Sequence, residues 1–268
     1  MGSSPRRAGS CSRNSSNPRG EDLQHPVQLF VTCLGEQFYP NVLQQMVAIL
    51  ERLGFSVEFP AAQTCCGQPL YNGGFQDQAR GVARGFLHAF GEGDTPIVSP
   101  SGSCVDMVRH HFLELFPPGS AEHELARGMA GRTFEFSEYL VRKLRITDVG
   151  ARFPHKVAYH ASCHHLRGLG LATEAKQLLA AVKDIELVPL PEEETCCGFG
   201  GVFSVVYPEV SRAMMQAKVR NIIGTGAAAV VACDAGCLMN IAGGLRQAGS
   251  QVRAMHLIEV LASQGSAR

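Results

Sequence analysis

Two stretches of this chain, Ala61 to Pro69 (AAQTCCGQP) and Glu193 to Gly201 (EETCCGFGG), repeat the tetrapeptide Thr-Cys-Cys-Gly. The repetition extends well beyond it. A single cysteine precedes each pair, Cys33 before Cys65 and Cys66, and Cys163 before Cys196 and Cys197; another follows, Cys104 in PSGSCVDM and Cys237 in CDAGCLMN. The offsets between the halves are 130, 131, 131 and 133 residues, so eight of the ten cysteines obey one spacing rule. Chance placement would hardly produce it.

Thiolates are soft ligands that suit iron–sulfur clusters, zinc or copper(I), so ligand type alone leaves the metal open. Neighbouring side chains on an extended segment point in different directions. A Cys-Cys pair therefore reaches different metals of one cluster more readily than it serves one compact zinc ion. The glycines of CCGQPLYNGG and CCGFGG permit the tight turn and close backbone approach that a bulky inorganic group requires. The plain alternative is cysteine as a small buried hydrophobe, and the shared spacing argues against it for the eight. Cys233, after the apolar run AAAVVA, reads equally as ligand or strand core, and Cys11 is assigned no role.

His160, His164 and His165 flank Cys163. An imidazole can ligate a metal or lower a thiol's pKa, but local polar capping is the simpler expectation. GFGG does not make the spacing GxGxxG and no Walker sequence occurs, so a nucleotide site is not expected. A cysteine–histidine hydrolase would need one privileged thiol, and nothing distinguishes any cysteine from its counterpart in the other half.

Composition narrows the class. Twenty-four basic and 24 acidic residues cancel, which removes the electrostatic case for nucleic acid or an acidic membrane surface. The longest weakly polar run, around Ala227 to Ala232, falls far short of the ~20 residues that cross a bilayer. Residues 1–24 read as a disordered tail without a secretory pattern. Ten cysteines in such a chain point to metal or redox chemistry in a reducing compartment, and the expected location is the cytoplasm.

The elements that must position these thiols repeat as well. VQLFVTC and KVAYHASC read as buried strands ending at a cysteine; FSVEF and IELVPL as second strands leading into the pairs; PIVS and AAVVAC as third strands leading to Cys104 and Cys237. Helical patterns separate them. Leu43, Met46, Val47, Leu50 and Leu53 share one face; Leu171 to Val182 is the counterpart; longer helices are expected over about Phe75 to Phe90 and Pro208 to Ile223. Strand and helix alternate three times per half. The pattern predicts an α/β fold of two tandem, pseudo-symmetric Rossmann-like modules, residues 25–148 and 152–268, each a parallel sheet covered by helices. The polar turn RITDVG lies in the segment between Phe116 and Gly150, the expected linker. Loops at the carboxyl ends of parallel strands gather on one edge, so each set of cysteines is expected to converge there.

With CCGFGGVFSVVYPEVS and CLMNIAGGLRQAG in the second half, the two modules resemble the cysteine-rich CCG-domain proteins, and most closely their lactate-utilisation protein A branch, from about Val27 to Ala262. The resemblance implies an iron–sulfur electron-transfer subunit that works with iron–sulfur or flavin partner proteins in oxidising L-lactate to pyruvate. No flavin or nicotinamide site is visible in the chain itself. Similar modules occur in heterodisulfide reductase and in the iron–sulfur subunit of glycolate oxidase. In the former, five cysteines per module hold a non-cubane cluster. By that resemblance Cys163, Cys196, Cys197, Cys233 and Cys237 could supply five, although three residues separate the last two instead of two. Pro100 lies opposite Cys233, leaving Cys33, Cys65, Cys66 and Cys104 in the first module. A [4Fe–4S] or non-cubane cluster is thus expected, against a zinc-stabilised interaction module without redox activity.

Overall fold

A computed structural model describes residues 25–265; the expected N-terminal tail and Cys11 lie outside the described residues. The first sheet comprises β1 (His25–Leu29), β2 (Phe55–Glu58), β3 (Ile97–Ser99) and β4 (Thr133–Glu135), in the order β2-β1-β3-β4. The second comprises β5 (Lys156–Tyr159), β6 (Glu186–Val188), β7 (Ala229–Ala232) and β8 (Arg253–His256), in the order β6-β5-β7-β8. Every pairing is parallel. Both sheets are covered by helices, so the chain is an α/β protein of two similar modules.

Sequence dictates this locally. The central strands β3 and β7 are buried along their whole length, as strands covered on both faces must be. Helix Pro40–Arg52 starts on a proline whose missing N–H costs nothing there, buries Val42, Leu43, Met46, Ile49 and Leu50, and ends before Gly54 at φ +88°. Each such aliphatic side chain contributes roughly 1.5–3 kcal/mol on burial. The counterpart of the sequence pattern Leu171 to Val182 is a shorter helix, Glu174–Ala180.

Each sheet has four strands where the pattern predicts three. β4 (TFE) and β8 (RAMH) are too short and too mixed in polarity to show a period. The segment expected as a linker therefore contains a strand, and Phe136, Tyr139 and Leu140 just after it are buried. They enter a core shared by both modules: Val27, Met46 and Leu50 from the first belong to the same cluster as Val157, Leu178, Leu257 and Ile258 from the second. Helix Leu257–Ala262 packs directly on helix Pro40–Arg52. Among the described residues no helix is long and apolar enough to cross a membrane.

Candidate metal centre between the modules

In each sheet the chain leaves the first and third strands in opposite directions, and the crevice outside their carboxyl ends is where such sheets bind ligands. The cysteines arrive there by the same route in both halves. Cys33 opens helix Cys33–Phe38 after β1, with the Thr32 hydroxyl accepting from the Gly35 amide at 3.1 Å. Cys163 follows β5 and leads into a π-helical turn, His164–Gly168, a widened geometry common at functional sites. Cys104 and Cys237 sit in the first turns of helices capped by Ser101 and Asp234.

The Cys-Cys pairs end on glycines in the left-handed region, Gly67 at φ +82° and Gly198 at φ +89°. This turn brings each glycine amide back to the first sulfur of its pair: Gly67 donates to Cys65 Sγ at 3.4 Å and Gly198 to Cys196 Sγ at 3.3 Å. A Cβ on Gly198 would stand 2.6 Å from the Ser211 carbonyl oxygen, so no other residue fits without movement.

The result is two sets of four thiols. Cys33 and Cys65 lie 3.7 Å apart at sulfur, unbonded, and Cys66 bridges Cys65 and Cys104. Cys163, Cys196, Cys197 and Cys237 form the same chain of neighbours. In both sets the second cysteine of the pair and the distal cysteine are buried, while the single cysteine and the first of the pair reach the surface. The sets do not occupy separate pockets. All eight line one cavity of about 190 Å³, together with Ser103, His164, Phe199 and Asp234.

Crowding sets the electrostatics. A hydrogen bond from the Cys33 thiol, then one from Cys66, then the Gly67 amide draw the Cys65 thiol far below its usual range; Cys163, Cys197 and Gly198 do the same for Cys196. Cys33 and Cys163 are pushed up in return, first by those hydrogen bonds and then by burial. Cys237 is drawn down to about 6, first by Cys197 and then, against burial, by His160. Each set can thus hold only part of its negative charge alone, since adjacent thiolates repel. A bound soft cation removes that limit, and the all-sulfur donor set fits such a group.

Cys233 is not brought to these sets. It is fully buried at the end of β7, with Tyr159 Oη at 3.9 Å, and its sulfur lies within 4.8 Å of donor atoms of Glu135 and His165. His165 Nε2 also meets Ser137 Oγ at 3.0 Å and Glu135 Oε2 at 3.4 Å, so this buried cluster joins β4 of the first module to the second. The histidines around Cys163 do not act as simple local caps. His165 is buried in that cluster, His164 lines the cavity, and His160 is buried with neither ring nitrogen hydrogen-bonded. Asp234, Glu135 and Lys218 carry structural weight that sequence reasoning misses; for Asp234 the available signal is its place one residue before a helix start.

Fold and site together define a protein of paired cysteine-rich domains presenting facing thiol sets. Residues 27–109 and 157–242 each match the family described as CCG, the cysteine-rich domain. The chain belongs to that family. It is 45% identical over 236 residues to lactate utilization protein A of Exiguobacterium sp., covering 88% of this chain and 96% of that protein. It is 43% identical over 242 residues to lactate utilization protein A of Halalkalibacterium halodurans, covering 90% and 98%. Among solved structures, glutamate racemase RacE1 of Bacillus anthracis superposes over 90% of this chain and 80% of that one, with TM-score 0.32 and 10% identity, too loosely to bear on function.

Proposed function

We propose that this chain is the iron–sulfur electron-transfer subunit of a cytoplasmic lactate-utilisation system, receiving electrons from a partner that oxidises a 2-hydroxy acid. The observation that carries the reading is the facing of two four-thiol sets across one cavity. Four thiolates are the complement of a [4Fe–4S] cluster, and with Cys233 buried elsewhere each set offers four. Cys33, Cys65, Cys66 and Cys104 would hold one cluster; Cys163, Cys196, Cys197 and Cys237 would hold the other. Such a group, when bound, supplies one-electron transfer. The chain's own part is to hold the thiols at fixed spacing, to donate the Gly67 and Gly198 amides to sulfur, and to keep the inner thiols of each set from water.

The relatives named for lactate utilization support the substrate class. Removal of hydride from the hydroxy acid falls to a flavin or further iron–sulfur partner.

The test is metal and acid-labile sulfide analysis of anaerobically purified protein, followed by lactate-dependent bleaching in the presence of the partner. Brown protein containing iron and sulfide, reduced only when lactate and partner are both present, is the expected result. Colourless protein with tightly held zinc would replace this reading with a structural zinc module.

A further inference from the structure

The two thiol sets share a backbone plan but not the same backing. Phe30 and His160 each follow the first strand of their sheet and donate equivalent backbone hydrogen bonds, Phe30 to the Val98 carbonyl at 2.9 Å and His160 to the Val231 carbonyl at 2.8 Å. Each stands three residues before the single cysteine of its set. The helices after the Cys-Cys pairs correspond too. Ala79, Ala83, Phe86, Leu87 and Phe90 are the buried residues of Gln76–Phe90, and Ser211, Met215, Lys218, Val219 and Ile222 are those of Pro208–Gly224, with identical spacing. This register places Lys218 where the first module has Phe86.

In the first module the two positions form an apolar pair. Phe30 and Phe86 pack edge to face at 4.7 Å, in the cluster that also contains Cys66 and Cys104. In the second module the same positions hold an imidazole and an ammonium, both buried. A ring nitrogen of His160 lies within 4.8 Å of the sulfurs of Cys197 and Cys237, and neither nitrogen has a hydrogen-bond partner among the described residues. Buried imidazoles rarely go unpaired, because a polar group taken out of water without a partner is costly. An anionic sulfur is the partner in reach. Lys218 Nζ donates to the carbonyls of Glu192 and Glu193, in the loop that enters the Cys196–Cys197 pair. Burial pulls the pKa of the ammonium down, and the charges of Cys197, Glu192, Cys196 and Cys237 oppose that only in part, which places the cation within electrostatic reach of three thiols of the set.

Resting on the reading that both sets hold clusters, we propose that His160 and Lys218 make the second set the stronger electron acceptor, so that an electron entering the first site passes to the second. Reduction adds one negative charge to the site that receives it and removes one from the site that gives it, with no bond made or broken. A buried imidazole with a ring nitrogen within reach of two of the set's sulfurs and a buried cation both stabilise the more negative state, and both raise the reduction potential. The phenyl rings of Phe30 and Phe86 offer neither.

The test is a reductive titration of the anaerobic, cluster-loaded full chain followed by electron paramagnetic resonance. The wild type is expected to reduce in two steps, with the higher-potential step abolished in Cys197→Ala. His160→Phe, which installs the first module's residue, and Lys218→Met, which keeps the stem and removes the charge, should each lower that step while the other step, iron and sulfide stay unchanged. His160→Gln, which keeps an N–H donor, should fall between Phe and wild type. Coincident potentials in the wild type, or loaded variants with unmoved potentials, would overturn the inference and leave the cluster reading standing. Loss of iron from His160→Phe together with an unmoved potential in Lys218→Met would also overturn it. A chain that takes up no iron and sulfide overturns both.

Discussion

The carboxylate of Asp234 accepts a hydrogen bond from the backbone amide of Ser103 at 2.9 Å, across the joint between modules, while its other oxygen accepts from Gly236 at 3.2 Å. Ser103 precedes Cys104, and Gly236 precedes Cys237. One side chain therefore holds the helix starts that carry the distal cysteine of each set.

Replacing Asp234 by alanine leaves two amides without their acceptor. Each lost cap costs about 1 kcal/mol, so the apo chain should lose roughly 2 kcal/mol, read from urea unfolding. Both clusters should load less completely, because both helices lose their anchor. Impairment of the second set alone would show that the contact with Ser103 carries no weight.

Cys233 and Cys197 should separate cleanly. Cys233→Ala leaves both four-thiol sets intact and should keep the iron content of the wild type, at a modest cost in stability from the vacated volume. Cys197→Ala removes one of four thiolates and should bring iron to about half. Iron content is the measurement, and a halved value in Cys233→Ala would return that thiol to the ligand set.

The buried cluster of Glu135, His165 and Cys233 gives the apo chain a pH signature. Burial opposes charge on His165, but Cys233 and Glu135 outweigh it and hold the ring's pKa at about 11. An unfolded histidine titrates near ~6.5, so the folded state binds the proton more tightly. That contribution is complete below pH ~6.5 and fades as pH climbs toward 11. The wild type should lose stability from about pH 7 to about pH 10 more steeply than His165→Gln. Parallel slopes in urea melts would mean that the ring is neutral in the folded state.

Without metal, the first set is poised to oxidise. Cys33 is exposed, its sulfur lies 3.7 Å from Cys65, and hydrogen bonds from Cys33 and Cys66 hold the Cys65 thiol far below its usual range. With hydrogen peroxide as oxidant, the Cys65 thiolate attacks one peroxide oxygen, becoming a sulfenic acid and releasing hydroxide; the Cys33 thiol then attacks that sulfur, and its proton leaves with the sulfenic oxygen as water as the disulfide forms. Peptide mapping of peroxide-treated apo chain should find Cys33 joined to Cys65, and loaded protein should be protected. Equal reaction in both forms would argue that these thiols do not bind the metal.

Much of this architecture is written in short-range pattern. The apolar faces of Pro40–Arg52 and Gln76–Phe90 announce themselves at helical spacing, and the common offset of the cysteines announces two copies of one plan. The fourth strands escape because three or four residues cannot display a period. The single cavity escapes for another reason: the modules are set against each other by one core in which Tyr139 and Leu140 join Leu257 and Ile258, which no local pattern encodes. Cys233 is ambiguous in sequence because every residue of β7 is buried, so alternation gives no sign of which way it faces. Lys218 reads as an ordinary helix lysine until the two halves are aligned beyond their cysteines, where it falls against Phe86.

The seating of Leu257–Ala262 on Pro40–Arg52 has a bearing on biosynthesis. Val42, Met46, Ile49 and Leu50 leave the ribosome about two hundred residues before the helix that helps to cover them. Until then the nascent first half carries a sticky, uncapped flank, the kind of surface that recruits chaperones during translation. That flank of the first module is thus covered only once Leu257–Ala262 has docked on it.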